Sequence, residues 1–307
     1  MPFNDPYRAV HDRSGFLERQ DLGRLRLRGQ DRRSYLHGIL TNDIDGLAAG
    51  DGCYAALLTP QGRFITDMHV YELGDEVLIT LPRSLASAIR DRLDQFIFSE
   101  DVQVEDVTEA TAQLGVYGPE AGKNVSPFRA MPDVTVLASR DLGIDGFEVI
   151  APRALVEQIR RLLLESGAIE LDRATADVIR VEAGIPRFLV DMTTETIPLE
   201  AGIEDRAISM TKGCYPGQEV IIRVLHRGGG RVAKKLVGFL LPVESAVPAA
   251  GDKVKAGDRG VGVVTSAVIS KRLARPIALG YVQRDFVAPG TAVTVGSTTA
   301  EVAALPF

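Results

Sequence analysis

The stretch TKGCYPGQEV, residues 211–220, sets Cys214, one of only two cysteines in the chain, two residues after Lys212 and between Gly213 and Gly217. Val220, Ile221, Val224 and Leu225 fit one helical face, although VIIRV is rich in β-branched residues. The sequence therefore predicts a helix capped by Gly217, with Gln218 and Glu219 in its first turn. A thiol just upstream of a helix N-terminus and near a lysine is drawn below its ordinary pKa of about 8.5 toward the thiolate. A thiolate can attack carbon, exchange with another thiol or bind iron. The competing reading is a small buried apolar residue in a tight Gly-x-x-x-Gly connection, and the residues alone do not separate the two. His226 lies too far along an expected helix to support a Cys-His pair.

Two carboxylates suggest a second chemistry. DRATADVIRVEAGIP, residues 172–186, reads as a helix with Ala174, Val178 and Val181 as its apolar stripe, closed by Gly184 and Pro186. Glu182 then stands in the last turn, where the helix dipole disfavours an anion. Either a surface pairing with Arg180 or Arg187 compensates it, or it is buried and accepts hydrogen bonds from a ligand with adjacent N–H donors, as a pterin or guanine edge has. Asp67 lies in LLTPQGRFITDMHVYEL, residues 57–73, where Thr-Pro-Gln-Gly marks a turn between two strands. Alternation places Phe64, Thr66 and Met68 on one face and Ile65, Asp67 and His69 on the other. Asp67 points inward if its face is the core face, and otherwise sits on a polar edge.

Several classes are disfavoured. Two cysteines and four histidines do not supply a spaced metal set, so no metal site is expected. A net charge of −6 and a pI near 5.4 argue against general phosphate-backbone binding. No phosphate-binding glycine loop of either standard type occurs. The segment RVLHRGGGRVAKK, residues 223–235, is a local exception: Arg223, His226 and Arg227 begin a basic run that could hold a polycarboxylate tail or an RNA phosphate. The first fifteen residues hold no signal-like apolar run and no segment is long and apolar enough to span a bilayer, which makes the cytoplasm the expected location. With no exposed heptad or apolar stripe, a monomer is expected.

These residues need elements to hold them. At 307 residues, 45% apolar and 25% charged, the chain has material for two or three packed domains. VLITLPRSLASAIRDRL, residues 77–93, and FEVIAPRALVEQIRRLL, residues 147–163, each run strand, Pro-Arg, helix, with apolar stripes Leu85-Ile89-Leu93 and Leu155-Ile159-Leu163. A second echo precedes each: RLRLRGQDRRSYL at 24–36 and AQLGVYGPEA at 112–121 both read as a strand entering Gly-x-acid. The pattern predicts two pseudo-repeated α+β lobes, and pockets often form where such lobes meet. From residue 232 the runs VAKKLVGFLL, GVGVVTSAVI, PIALGYV and TAVTVG predict an all-β barrel or sandwich, so the expected division is a core at 1–231 and a β domain at 232–307.

Taken together, KGCYPGQE, GQDRRSYLHGILTNDI, RVEAGIP, VGVVTS, IALGYV and the terminal PF resemble the YgfZ-type folate-binding proteins, relatives of the glycine cleavage T-protein. The resemblance spans nearly the whole chain. It implies an α+β core with a central channel for tetrahydrofolate, a C-terminal β-barrel, and a role in iron–sulfur assembly or repair with a link to tRNA modification. The implied partners are folate, iron–sulfur client or assembly proteins and a transient tRNA contact, with no membrane. It also assigns Glu182 to the pterin, Asp67 to the region of the reacting folate nitrogen, Tyr54 to folate contact, and Cys214 to the signature loop with Lys212, Gly213, Tyr215, Gly217, Gln218 and Glu219. T-proteins show Gly-Gly-x-x-Asp-Asp where this chain reads GRFITD, so Arg63 replaces a glycine and Thr66 one of two acids. That departure weighs against the alternative, a folate-dependent aminomethyltransferase.

Overall fold

A computed structural model describes residues 5–226 and 229–307. Packing gathers the chain into two units: Met1–Arg140, Ile144–Asp172 and Asp205–Gln218 in the first, Asp141–Gly143, Arg173–Glu204 and Glu219–Phe307 in the second.

The first unit holds the duplicated lobes. After a short helix, Pro6–Asp12, and strand β1, Gly15–Glu18, the first lobe runs β2 (Leu22–Arg28), α1 (Arg32–Ile39), β3 (Gly52–Leu58), β4 (Phe64–Glu72), β5 (Val77–Pro82), α2 (Ala86–Gln95) and β6 (Gln103–Asp106). The second runs β7 (Thr111–Tyr117), α3 (Ala121–Val125), β8 (Thr135–Ser139), β9 (Gly146–Pro152), α4 (Val156–Glu165) and β10 (Ile169–Glu170). Their sheets have the orders β3-β4-β5-β2-β6 and β10-β1-β7-β9-β8. Pro82 and Pro152, at φ −53° and −50°, end their strands and feed single 3-10 turns at Arg83–Leu85 and Arg153–Leu155 before the helices begin. The prolines thus close strands one turn ahead of the α-helices, earlier than the first-turn placement the sequence suggests. Gly29 and Gly118, at φ +105° and +114°, make the matching strand-to-helix bends.

Each lobe buries one sheet face under its helices. Leu25, Leu27, Met68, Val70 and Ile79 pack with Leu36, Ile89 and Leu93 in the first, and Leu114, Val116 and Val149 with Ile159 and Leu163 in the second. Tyr71, Leu78 and Val107 meet Leu137 and Ile150 in a further cluster that joins the lobes. Because side chains alternate along β4, Asp67, His69 and Tyr71 lie opposite the face carrying Met68 and Val70. Asp67 is half-buried, on the face turned from the helix-covered core and shared with Tyr71, which packs in the cluster joining the lobes.

The second unit contains α5 (Arg173–Glu182), α6 (Gln218–His226, beginning at the last residue of the first unit) and six strands: β11 (Lys234–Leu240), β12 (Lys253–Ala256), β13 (Arg259–Ser270), β14 (Arg275–Gln283), β15 (Ala292–Val295) and β16 (Thr298–Ala303). They close into a barrel in the order β11-β14-β13-β12-β15-β16. The short strands β12 and β16 are not marked by the apolar runs read from the sequence. On α5 the buried side is formed by Thr175, Ala176, Ile179, Arg180, Val181 and Glu182, while Ala174 is exposed. The predicted stripe is therefore rotated, because the polar ends of Arg180 and Glu182 find partners inside. Gly184 takes φ +68°, and its N–H and that of Ile185 donate to Val181 and Arg180 carbonyls, closing the helix as the sequence indicates. No helix among the described residues is long and apolar enough to cross a membrane.

Candidate functional site

The register of β3 against β4 sets Tyr54 opposite His69 and Ala56 opposite Asp67 on one sheet face. The phenol of Tyr54 reaches diagonally and donates to Asp67 Oδ2 at 2.6 Å. His69 lies against the Tyr54 ring at a 43° tilt, with centroids 5.0 Å apart, and stacks in turn beside Tyr71. Above the Tyr54 ring sits the Arg206 guanidinium, 4.5 Å from the centroid. Arg206 is brought there by stitching of the 205–208 segment to β3 and the residues before it. Asn42 Nδ2 donates to the carbonyls of both Tyr54 and Arg206 at 2.9 and 3.0 Å, and Thr41 Oγ1 donates to the Ala207 carbonyl at 2.7 Å. Tyr54 and Asp67 are thus together, in a half-buried setting where a carboxylate and a phenol can orient an amine or move its proton. Sequence reasoning placed His69 beside Asp67 without assigning it a role. It missed Arg206 and Asn42, whose contacts join distant parts of the chain and leave no periodic signal.

The cysteine loop is held at three points. Lys212 Nζ donates to the carbonyls of His37 and Leu40 at the C-terminal end of α1, the latter at 2.5 Å, and stands 5.2 Å from the Tyr215 ring centroid. Burial lowers its pKa to about 8, against the pull of Asp43 and Asp45. Tyr215 is buried. Gly217, at φ +84°, packs so closely that a Cβ there would lie 2.5 Å from the Thr59 carbonyl oxygen. Between these anchors Cys214 is exposed, and Gly213 has nothing within 4 Å of where a Cβ would stand. Lys212, read from the sequence as a charge beside the thiol, is engaged with helix carbonyls and an aromatic ring. The predicted helix follows at Gln218–His226, with Glu219 exposed and 3.6 Å from Arg223. Cys53 is half-buried on β3, and burial together with Asp43 pushes its thiol up to about 12.

Glu182, in the second unit, is buried rather than paired on the surface. Its Oε1 accepts from Ser270 Oγ at 2.6 Å and from the Arg272 backbone N–H at 3.1 Å, and Ser270 Oγ itself accepts from the Leu273 N–H. Donors at the end of β13 answer the unfavourable dipole at this helix end. Two residues earlier, Arg180 is buried and bonds Asp177, Asp191, Ser266 and the Ile185 carbonyl, so α5 is fixed to the barrel wall. Arg223 and His226 are exposed on α6, and Arg227 lies outside the described residues. Among the described residues no group of three or more His, Cys, Asp or Glu side chains is placed to hold a metal.

An α+β first unit bearing a Tyr–Asp pair, with a separate six-stranded barrel, defines the class. Residues 3–138 match the GCVT N-terminal domain and residues 234–307 the glycine cleavage T-protein C-terminal barrel domain. An aminomethyltransferase of Rubrobacter xylanophilus is 30% identical over 90% of this chain and 78% of its own length. A chloroplastic protein of Arabidopsis thaliana named only as a transferase is 28% identical over 89% of this chain, which spans 66% of that protein. The crystal structure of the glycine cleavage system aminomethyltransferase T from Bartonella henselae superposes with a TM-score of 0.88 at 22% identity, covering 98% of this chain and 88% of that one. The chain belongs to the glycine cleavage T-protein family.

Proposed function

We propose that this protein binds tetrahydrofolate and works on a folate-linked one-carbon unit, with the Tyr54–Asp67 pair beside the reacting nitrogen, and that it is a YgfZ-type member serving iron–sulfur assembly or repair. The observation that carries the folate reading is the 2.6 Å hydrogen bond from Tyr54 to Asp67 on a half-buried sheet face. It holds one carboxylate oxygen in place, and a fixed carboxylate stabilises an ammonium or iminium centre better than one that must reorient. The resemblance assigns Glu182 to the pterin, which is a separate claim. Calorimetry with tetrahydrofolate tests both: Glu182→Gln should raise Kd at least tenfold, and Asp67→Asn should retain binding while abolishing turnover. Absence of tetrahydrofolate binding by the wild type refutes the reading.

The accessory role rests on Cys214, which stands exposed on a loop anchored by Lys212, Tyr215 and Gly217. In cells lacking the native protein, wild type and Cys214→Ala at equal soluble levels should differ in restoring an iron–sulfur enzyme. Equal rescue removes the thiol from the function. A second reading, aminomethyl transfer to tetrahydrofolate, is favoured by the names of the relatives. Release of ammonia and methylenetetrahydrofolate from an aminomethylated lipoyl carrier would establish it.

A further inference from the structure

The partly or fully buried arginines Arg19, Arg24, Arg26, Arg32 and Arg180 all bond carboxylates, hydroxyls or carbonyls. Arg206 differs. It is half-buried, yet among the described residues no carboxylate lies within ion-pair distance of its guanidinium and no acceptor takes a hydrogen bond from it. Its guanidinium lies instead over the face of Tyr54. The placement is built: Asn42 bonds the backbone carbonyls of both Arg206 and Tyr54, which sets the two residues side by side. With its carbon 4.5 Å from the ring centroid, the guanidinium has its N–H fork uncommitted to any protein acceptor among the described residues, and that fork matches the two oxygens of a carboxylate.

We infer that Arg206 is the carboxylate-binding residue of the Tyr54–Asp67 site, and that the molecule acted on there carries a carboxylate. A carboxylate fits better than a phosphate dianion, because a single arginine supplies one positive charge and Asp67 bonds the same tyrosine. The setting rests on the folate reading, and two sources share the chemistry: the glutamyl end of folate, or an amino-acid donor of the one-carbon unit.

The test uses the full chain with three probes: tetrahydrofolate, tetrahydropteroate, which lacks the glutamyl carboxylates, and acetate. The readouts are calorimetric Kd and the Arg206 Nε–H resonance. Arg206→Gln, checked for an unchanged melting temperature, is expected to weaken tetrahydrofolate about 10-fold or more while changing tetrahydropteroate less than 2-fold, which identifies the glutamyl source. If Arg206→Gln spares both folates but acetate saturably shifts the wild-type Arg206 resonance, the donor is the source. Arg206→Lys, which keeps the charge and loses the fork, should recover less than half of the lost binding energy in whichever arm responds. If no wild-type folate binding is found, the folate reading falls while the acetate arm still decides Arg206. A wild-type resonance unmoved by all three probes, with Kd values unchanged in both variants, overturns the inference.

Discussion

The two glycines flanking Cys214 look equivalent in the sequence and should behave oppositely when given a side chain. At Gly217 the backbone sits at φ +84°, and a Cβ would be 2.5 Å from the Thr59 carbonyl oxygen and 3.0 Å from Gly62 Cα. The left-handed conformation alone costs a non-glycine residue about 1–2 kcal/mol. The contact is with main chain, which cannot rotate away, so the β3–β4 turn must shift as well, and ~3 kcal/mol in total is a reasonable expectation. At roughly 2–4 °C per kcal/mol, Gly217→Ala should lower the melting temperature by about 6–12 °C. At Gly213 there is no atom within 4 Å of the added methyl and φ is not positive, so Gly213→Ala should cost nothing and could add up to about 1 kcal/mol by restricting the unfolded chain. Paired thermal melts of the two variants, followed by circular dichroism, make the comparison. If Gly217→Ala melts within about 2 °C of wild type, or Gly213→Ala loses as much, the loop is not anchored where its packing indicates.

Further outcomes follow from the buried charges and thiols. Asp191→Asn removes one of the two carboxylates 2.7 Å from the buried Arg180 while Asp177 stays paired, and should cost about 1–3 kcal/mol in denaturant unfolding. Burial holds Cys53 up to about 12 against an ordinary 9.0, so the unfolded chain releases that proton first and the contribution of this thiol to stability falls between pH 9 and 12. Lys212, lowered to about 8 from 10.5, acts with the opposite sign: the unfolded chain holds the extra proton, and its contribution rises between about pH 8 and 10.5. Unfolding measured at stepped pH should show each limb disappear in Cys53→Ala and Lys212→Met respectively, each with a slope below about 1.4 kcal/mol per pH unit. In Lys212→Met the rate of Cys214 alkylation should stay within about twofold of wild type while the melting temperature drops, because the lysine serves the end of α1. A roughly tenfold slower reaction would return Lys212 to the thiol.

Local patterns made the lobes legible. The Pro-Arg pairs and the stripes at Ile89, Leu93, Ile159 and Leu163 reflect constraints acting within a dozen residues, and the duplicated strand, 3-10 turn and helix follow them closely. The apolar runs of β11, β13, β14 and β15 were readable for the same reason. Lys253–Ala256 and Thr298–Ala303 were not, since short strands with lysine, threonine and glutamate owe their structure to ladder partners. Glu182 shows the limit most clearly. The sequence exposes a conflict between an anion and a helix C-terminus, but its resolution comes from Ser270 and Arg272, nearly ninety residues away. Arg206 is silent for the same reason, being held by Asn42 rather than by anything near it in the chain.

The signature loop shows why a motif should be divided before it is given a chemistry. Lys212, Tyr215 and Gly217 are each accounted for by what they touch: helix carbonyls, a buried site and the β3–β4 turn. A cationic lysine pointed at carbonyls satisfies acceptors that a helix end leaves unpaired, which is a folding role. Removing these residues from the reactive account leaves Cys214 as the member whose exposure the fold does not require for packing. The glycine at 213, with open space around it, neither shields nor supports that sulfur. What the loop offers chemically is therefore access, with the thiol held out by three fixed points.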